Sequence, residues 1–280
     1  MTKIYLDSGD PHETKQILSA LGSLDGQTTN PSLIVKNPEV QKCKTGERVC
    51  SEEDLLGYYK DIVTDIRSLL DAGESISVEV YADEHTSADD MIEQGTLMNE
   101  WIPDAHVKLP ITAAGLEAAH HFVKKGINVN MTLCFSLEQA MAVHSATKGC
   151  EQGQVYISPF IGRLDDIGES GIQLIADILS VYRSIDSNVE VLSASIRNNQ
   201  HVQDTLALGC DRITIPFNIL KELSSDKLTA MHNADAPDVS SSSVGSFAEK
   251  EDWTLYNITH PLTDKGLAKF AQDWKSIFTA

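Results

Sequence analysis

Lys108 stands between Val107 and Leu109 in the run AHVKL at 105–109. An ammonium inside an apolar strand is costly unless it is paired or sheds its proton. The residue is therefore either half of an ion pair with Glu79 or Asp7 or the amine nucleophile of imine chemistry. Burial and neighbouring positive charge favour the neutral amine that such chemistry needs, and neighbouring carboxylates oppose it. Asp7 closes the run KIYLD at 3–7, and Glu79 lies between Val78 and Val80 in SISVEVYA at 75–82. Taken singly, carboxylates at strand ends commonly cap helices or pair with arginines. With the lysine they form a usable set, because imine formation must lose a hydroxyl as water and any further bond change on the imine needs a proton taken up or given at a second place. Two proton handlers serve those two steps.

Such a set needs a frame that aims its members at one point. Short β-branched runs alternate with stretches of helical period, the pattern of parallel βα units. Eight candidate strands fall at 3–7, 26–30, 75–82, 105–109, 127–133, 154–160, 189–196 and 212–217, matching an α/β fold closed as a (β/α)8 TIM barrel. The active site of such a barrel lies at the carboxyl ends of its strands. Polar residues late in the runs are Asp7, Thr28, Thr29, Asn30, Glu79, Lys108, Asn130, Thr132, Ser158, Ser195 and Arg197. Alternation with apolar neighbours points Glu79 and Lys108 toward the barrel axis.

The helices are readable from the same pattern. Leu55, Leu56, Tyr59, Ile62, Val63, Ile66, Leu69 and Leu70 form one apolar stripe, suited to a barrel wall. A helix containing Leu116, Phe122 and Val123 can close at Gly126, and Ser136 can cap a helix stopped by Gly149. Ile172, Ile175, Ile178, Leu179 and Tyr182 make another stripe. Leu267, Phe270, Trp274 and Ile277 line a C-terminal helix at about 263–278, which packs either on its own barrel or on a neighbour and so leaves a homo-oligomer open. Polar segments at about 37–53 and 233–252 read as loops, the second with four consecutive serines from Ser240 and with a lid as its alternative role. The expected organisation is one domain over 1–280.

Bulk properties narrow the partners. The chain has 280 residues and a formal charge of −19, a field that repels nucleic acid and anionic membrane. A phosphorylated ligand would need a local positive pocket set against that field, which makes interior arginines more informative than any count of charges. No leader-like segment and no run of about 18 apolar residues appears, so the expectation is a soluble, cytoplasmic protein. Five cysteines, an odd number, argue against a disulfide framework. Cys43 and Cys50 are close enough in sequence to bridge, but two free surface thiols are the expectation. The nine histidines are scattered; His120 and His121 point in different directions, and His106 reads as packing at the barrel floor rather than as a metal ligand.

The strings LDSG around Asp7, TTNPSLI from Thr28, SVEV at Glu79, VKLP at Lys108, INVNMTLCFSLEQA from Ile127, SPFIGRLDD from Ser158 and SASIRN from Ser193 resemble, in order, the motifs of the transaldolase family. GLAKFAQDW is similar to that family's last helix. The resemblance covers roughly the whole barrel and implies roles by position. Lys108 would form the Schiff base, Asp7 would be the acid and base at the cleaved bond, and Glu79 with Thr132 would hold the water of imine formation. Thr29, Asn30, Asn130, Ser158 and Phe160 would line the sugar site. Arg163 and Arg197, with Ser195, would grip the phosphate; without the family context, surface salt bridges are the better reading of both arginines.

It also implies reversible transfer of a dihydroxyacetone unit between sedoheptulose 7-phosphate or fructose 6-phosphate and glyceraldehyde 3-phosphate or erythrose 4-phosphate, with no cofactor or metal. The related fructose-6-phosphate aldolases carry glutamine at the position of Glu79 and tyrosine at that of Phe160, so both positions here point to the transferase. A fructose-6-phosphate aldolase-like enzyme and a non-catalytic sugar-phosphate-binding barrel are the alternatives. Gln27, Ser193 and Ile196 depart from the usual pattern, as do the two polar segments.

Overall fold

Eight parallel strands pair in chain order and the last returns to the first: β1 (Lys3–Asp7), β2 (Gly26–Thr28), β3 (Ser75–Glu79), β4 (Ala105–Pro110), β5 (Asn128–Cys134), β6 (Val155–Pro159), β7 (Glu190–Ser193) and β8 (Arg212–Pro216). The seam runs from Lys3 opposite Arg212 to Asp7 opposite Pro216. This closed (β/α)8 TIM barrel is seen in a computed structural model that describes residues 1–240 and 249–278. Three strands end two or more residues earlier than the sequence runs suggest. Thr29 and Asn30 follow β2, β3 stops at Glu79, and Ser195 and Arg197 lie in the loop after β7. A strand of the barrel lasts only while its neighbours pair with it, so polar residues past the last rung are released into the mouth.

The wall helices bury the expected stripes. In the helix Glu52–Leu69, Leu55, Tyr59, Ile62, Val63 and Ile66 are buried, and a Ser51–Asp54 capping box fixes its start. Full burial of each such side chain contributes roughly 1.5–3 kcal/mol. Ser136 caps the helix Leu137–Ala146, and the helix Gly171–Ser184 buries Ile175, Ile178, Leu179 and Tyr182. At the floor of the barrel, His106 stacks on Tyr156 at 4.0 Å between ring centres, and Arg212 lies over the same ring. Burial lowers the His106 pKa to about 4, so a neutral ring packs there.

The segment 37–53 departs from the expected loop. It contains a helix, Pro38–Lys44, capped by Asn37 and burying Val40 and Cys43. Cys43 is disulfide-bonded to Cys50, with 5.6 Å between Cα atoms, in place of the two free thiols expected. The reason is local: the Arg48 amide donates to the Lys42 carbonyl, turning the chain back on the helix end and bringing the Cβ atoms within disulfide reach. Of the serine-rich segment, residues 241–248 lie outside the described residues. Its flanks are tied down: the Ser240 amide donates to Gln173 Oε1, and Glu249 pairs with Lys148 at 3.2 Å.

The C-terminal helix, Pro261–Lys275, packs on the barrel of its own chain against β5 and the helix Pro31–Lys36. It begins slightly before the expected position because His260 caps it and Pro261 occupies the first turn. Its docking point on β5 is irregular. The register slips between Met131 and Cys134, and Leu133 takes a φ of 62°, the left-handed region a leucine rarely adopts. No helix among the described residues is long and apolar enough to cross a membrane.

Candidate active site

The strand register brings the chemistry together. Glu79 lies opposite Lys108, and Lys108 lies opposite Asn130, so three polar side chains stand abreast across β3, β4 and β5. Lys108 Nζ is 2.9 Å from Glu79 Oε2, with the two side chains only 4% and 3% exposed. The same amine donates to the Thr29 carbonyl at 3.3 Å. Behind the pair runs a chain of hydrogen bonds. The Glu79 amide donates to the Tyr59 hydroxyl at 2.8 Å, that hydroxyl meets Thr29 Oγ1 at 2.6 Å, and Thr29 Oγ1 donates to the Ser77 carbonyl.

Asp7 approaches from β1. Thr28 Oγ1 donates to Asp7 Oδ1 at 2.7 Å and lies 2.6 Å from Thr214 Oγ1, so Thr214 supplies the hydrogen of that second contact. Burial, the largest influence on both carboxyls, raises the pKa values of Asp7 and Glu79 above their ordinary range. The Lys108 charge opposes the shift at each. Asn130 and Ser158 complete the floor: Ser158 Oγ donates to Asn130 Oδ1 at 2.7 Å, and Asn130 Nδ2 donates to Ser77 Oγ. Thr132 Oγ1 is buried with no hydrogen-bond partner among the described residues. A buried hydroxyl left this way is a place for an ordered water or a ligand oxygen.

Above these groups a cavity of about 500 Å³ opens at the carboxyl ends of the strands. Its wall carries Lys36, Lys44, Lys108, Arg163, Arg197 and Lys269 against only Asp7 and Asp273, in a chain whose net charge is −19. The local sign is thus opposite to the global one, as capture of an anion requires.

The two arginines are held differently. Arg197 pairs with the exposed Asp166 at 3.0 Å. Arg163 has no ion pair or side-chain hydrogen bond among the described residues, and its guanidinium lies 5.3 Å from the Phe160 ring centre and 5.6 Å from that of Phe270. Burial, followed by the nearby Arg197 charge, pulls the Arg163 pKa below the usual guanidinium range. Gly162 lets Arg197 come close: a Cβ there would stand 2.5 Å from Arg197 Cγ and 2.3 Å from the Ser195 carbonyl. Ser195 itself has a φ of 61°, a strained turn of the kind that concentrates at ligand sites.

Asp7, Asn30, Lys108, Ser158, Phe160, Arg163, Ser195 and Arg197 therefore share one cavity wall. Glu79 is buried behind that wall beside Lys108. Thr29 is placed otherwise than expected: its hydroxyl turns to Tyr59 and Ser77, and only its carbonyl faces the amine. Asn30 spends its side-chain oxygen capping the helix Pro31–Lys36, where it accepts from the Leu33 amide. Gln27, unusual in its bulk, is fully buried, donating to the Ser8 carbonyl and accepting from Thr14. Thr214, Tyr59 and Phe270 join the site without a sequence signal of their own. Thr28 is visible in the TTNPS string, but Tyr59 and Phe270 look like any other core residue of an amphipathic stripe.

Among the described residues no three His, Cys, Asp or Glu side chains gather as a metal-binding group. Fold and site together define a β/α-barrel protein with a buried lysine–carboxylate pair opening on a cationic cavity. The description "Transaldolase/Fructose-6-phosphate aldolase" fits residues 4–280. A protein of Dehalococcoides mccartyi named probable transaldolase is 32% identical over 98% of this chain and 99% of its own length. Proteins of the same name from two strains of Cereibacter sphaeroides are 38% identical over 97% of this chain and 95% of their own length, and 40% identical over 83% and 94%. The chain belongs to the transaldolase/fructose-6-phosphate aldolase family.

Proposed function

We propose that the protein is a transaldolase, a transferase that moves a three-carbon dihydroxyacetone unit between phosphorylated sugars through a Schiff base on Lys108. The observation that carries this reading is the 2.9 Å contact between Lys108 Nζ and Glu79 Oε2 at the base of a cationic cavity. Glu79, held above the ordinary carboxyl range by burial, can take the ammonium proton and leave a neutral amine. That amine attacks the C2 carbonyl of a ketose phosphate. Loss of the carbinolamine hydroxyl needs a proton, which Glu79 returns, and the departing water sits against Thr132 Oγ1. Asp7 then removes the C4 hydroxyl proton, the C3–C4 bond breaks, and the aldose phosphate leaves with the enamine still on Lys108. An acceptor aldose phosphate re-forms the bond by the reverse steps, with Asp7 giving its proton to the new hydroxyl. No cofactor enters this scheme.

Asn30, Asn130 and Ser158 would orient the sugar hydroxyls, and Arg163, Arg197 and Ser195 the phosphate. The donors would be fructose 6-phosphate or sedoheptulose 7-phosphate and the acceptors erythrose 4-phosphate or glyceraldehyde 3-phosphate, which suits the pentose phosphate pathway and a cytoplasmic location. We assign the barrel and its C-terminal helix to one catalytic domain. The transferase rather than the aldolase is favoured by Phe160, which puts no hydroxyl beside the enamine and so leaves it unprotonated until an acceptor arrives. The names of the curated relatives point the same way. Borohydride reduction with fructose 6-phosphate, followed by peptide mass analysis, should label Lys108, and Lys108→Met should abolish labelling and sugar exchange. Turnover independent of added erythrose 4-phosphate would replace the transferase with the aldolase. An unlabelled Lys108 would overturn both.

A further inference from the structure

We infer that the C-terminal helix is part of the substrate-binding machinery, with Gly266 and Phe270 as positioning residues that set the Arg163 guanidinium for a phosphate ester. The inference rests on the transferase reading above for the identity of the ligand, not for the geometry.

At the same mouth Arg197 is oriented by a carboxylate, that of Asp166. A carboxylate partner occupies N–H donors and competes with an incoming anion. Arg163 is oriented by aromatic rings instead, Phe160 from the end of β6 and Phe270 from the C-terminal helix. Ring contacts attract the cation without using its N–H groups, so the donors of a planar fork remain available for phosphate oxygens.

Gly266 stands one turn before Phe270 on the same helical face. A Cβ at this position would lie 2.7 Å from Arg163 Nη1 and 2.6 Å from Leu133 Cδ2. Any larger residue must therefore displace the guanidinium or lift the helix. The helix is fixed where this matters. Thr263 Oγ1 donates to the carbonyl of Leu133, the residue with left-handed φ, at 2.9 Å, and Gln139 Nε2 donates to Thr263 Oγ1 at 2.8 Å. At the other end Ser32 Oγ donates to Asp273. Thr263, Gly266, Phe270 and Asp273 thus form a single stripe, two members anchoring the helix and two shaping the slot in which Arg163 lies.

The test compares Phe270→Leu, Phe270→Tyr and Gly266→Ala with the parent protein, using fructose 6-phosphate and unphosphorylated fructose as donors and inorganic phosphate as a calorimetric probe. Loss of one ring contact should raise KM for fructose 6-phosphate and weaken phosphate binding by about three- to thirtyfold, with kcat within about twofold. The ratio of kcat/KM on fructose 6-phosphate to that on fructose should fall by the same factor, and Phe270→Tyr, which keeps the ring, should hold that ratio closer to the parent's than Phe270→Leu does. Gly266→Ala should reproduce the Phe270→Leu pattern with an unaltered circular dichroism spectrum. Equal losses on both donors, or phosphate binding that is unchanged in the variants or absent from the parent, would overturn the inference. If the parent binds phosphate and the variants lose it, but no sugar is exchanged and Lys108 is not labelled, the slot stands and the transferase reading falls.

Discussion

Lys108 and Glu79 lie opposite each other in neighbouring strands, their charged atoms 2.9 Å apart and almost wholly removed from solvent. The pairing that the sequence offered as one alternative is present, and on the mechanism proposed above the raised proton affinity of Glu79 would let the same pair pass a proton across and expose a nucleophile.

Glu79→Gln should separate these two aspects. The amide can neither take the ammonium proton nor compensate its charge, so we expect kcat for sugar exchange to fall by roughly a hundredfold. Breaking a buried pair from one side should also reduce stability by about 3–5 kcal/mol. Steady-state kinetics and urea denaturation check the two effects, and a variant retaining parental kcat would remove Glu79 from proton transfer.

The Asp7 carboxyl, raised by burial, makes a pH prediction with a definite sign. A group whose pKa is higher folded than unfolded stabilises the native state most below the unfolded value, and that contribution is lost as pH rises through the folded value. Asp7→Asn removes this dependence. The variant's melting temperature should exceed the parent's near neutrality and converge with it, or fall below it, in acid, while sugar exchange collapses at every pH. A melting difference independent of pH would contradict the assignment.

Tyr59 supports the pair from behind, because its hydroxyl accepts the Glu79 amide and meets Thr29. Tyr59→Phe leaves that amide buried without a partner, a loss of about 1–3 kcal/mol. Trp274 packs near the same ring at 6.3 Å, so the loosened backbone should also show as faster hydrogen exchange at Glu79. Parental exchange rates there would show that the hydroxyl is dispensable.

The Cys43–Cys50 disulfide closes a short loop beside Gln41 and Lys44 on the cavity rim. Chain entropy assigns such a loop about 2.5 kcal/mol. Cys50→Ser should therefore lower the melting temperature and increase proteolysis within 38–50, with little change in kcat because the barrel floor is untouched. A variant equal to the parent in both respects would mean the bridge closes nothing that moves.

The barrel and the inward aim of the side chains gathered at its mouth are readable from the chain because period and alternation report which way a side chain faces. Val78 and Val80 direct Glu79 inward, and Val107 and Leu109 do the same for Lys108. What could not be read depends on distance between elements far apart in sequence. Nothing in an amphipathic stripe distinguishes Tyr59, whose hydroxyl reaches β3, from a neighbour that only packs. Nor does the spacing of Cys43 and Cys50 disclose the turn at Arg48 that joins them. Thr29 was expected in the cavity, but β2 ends at Thr28, and beyond the last rung alternation no longer predicts direction.

The seam between β1 and β8 has a consequence for how the protein comes into being. Asp7 belongs to the first strand and is tethered through Thr28 to Thr214 in the last, so a chain emerging from the ribosome carries Lys108 long before it can hold Asp7 in place. On the mechanism proposed above, carbon–carbon cleavage would therefore wait until the two ends meet, and any fragment ending before β8 should exchange no sugar.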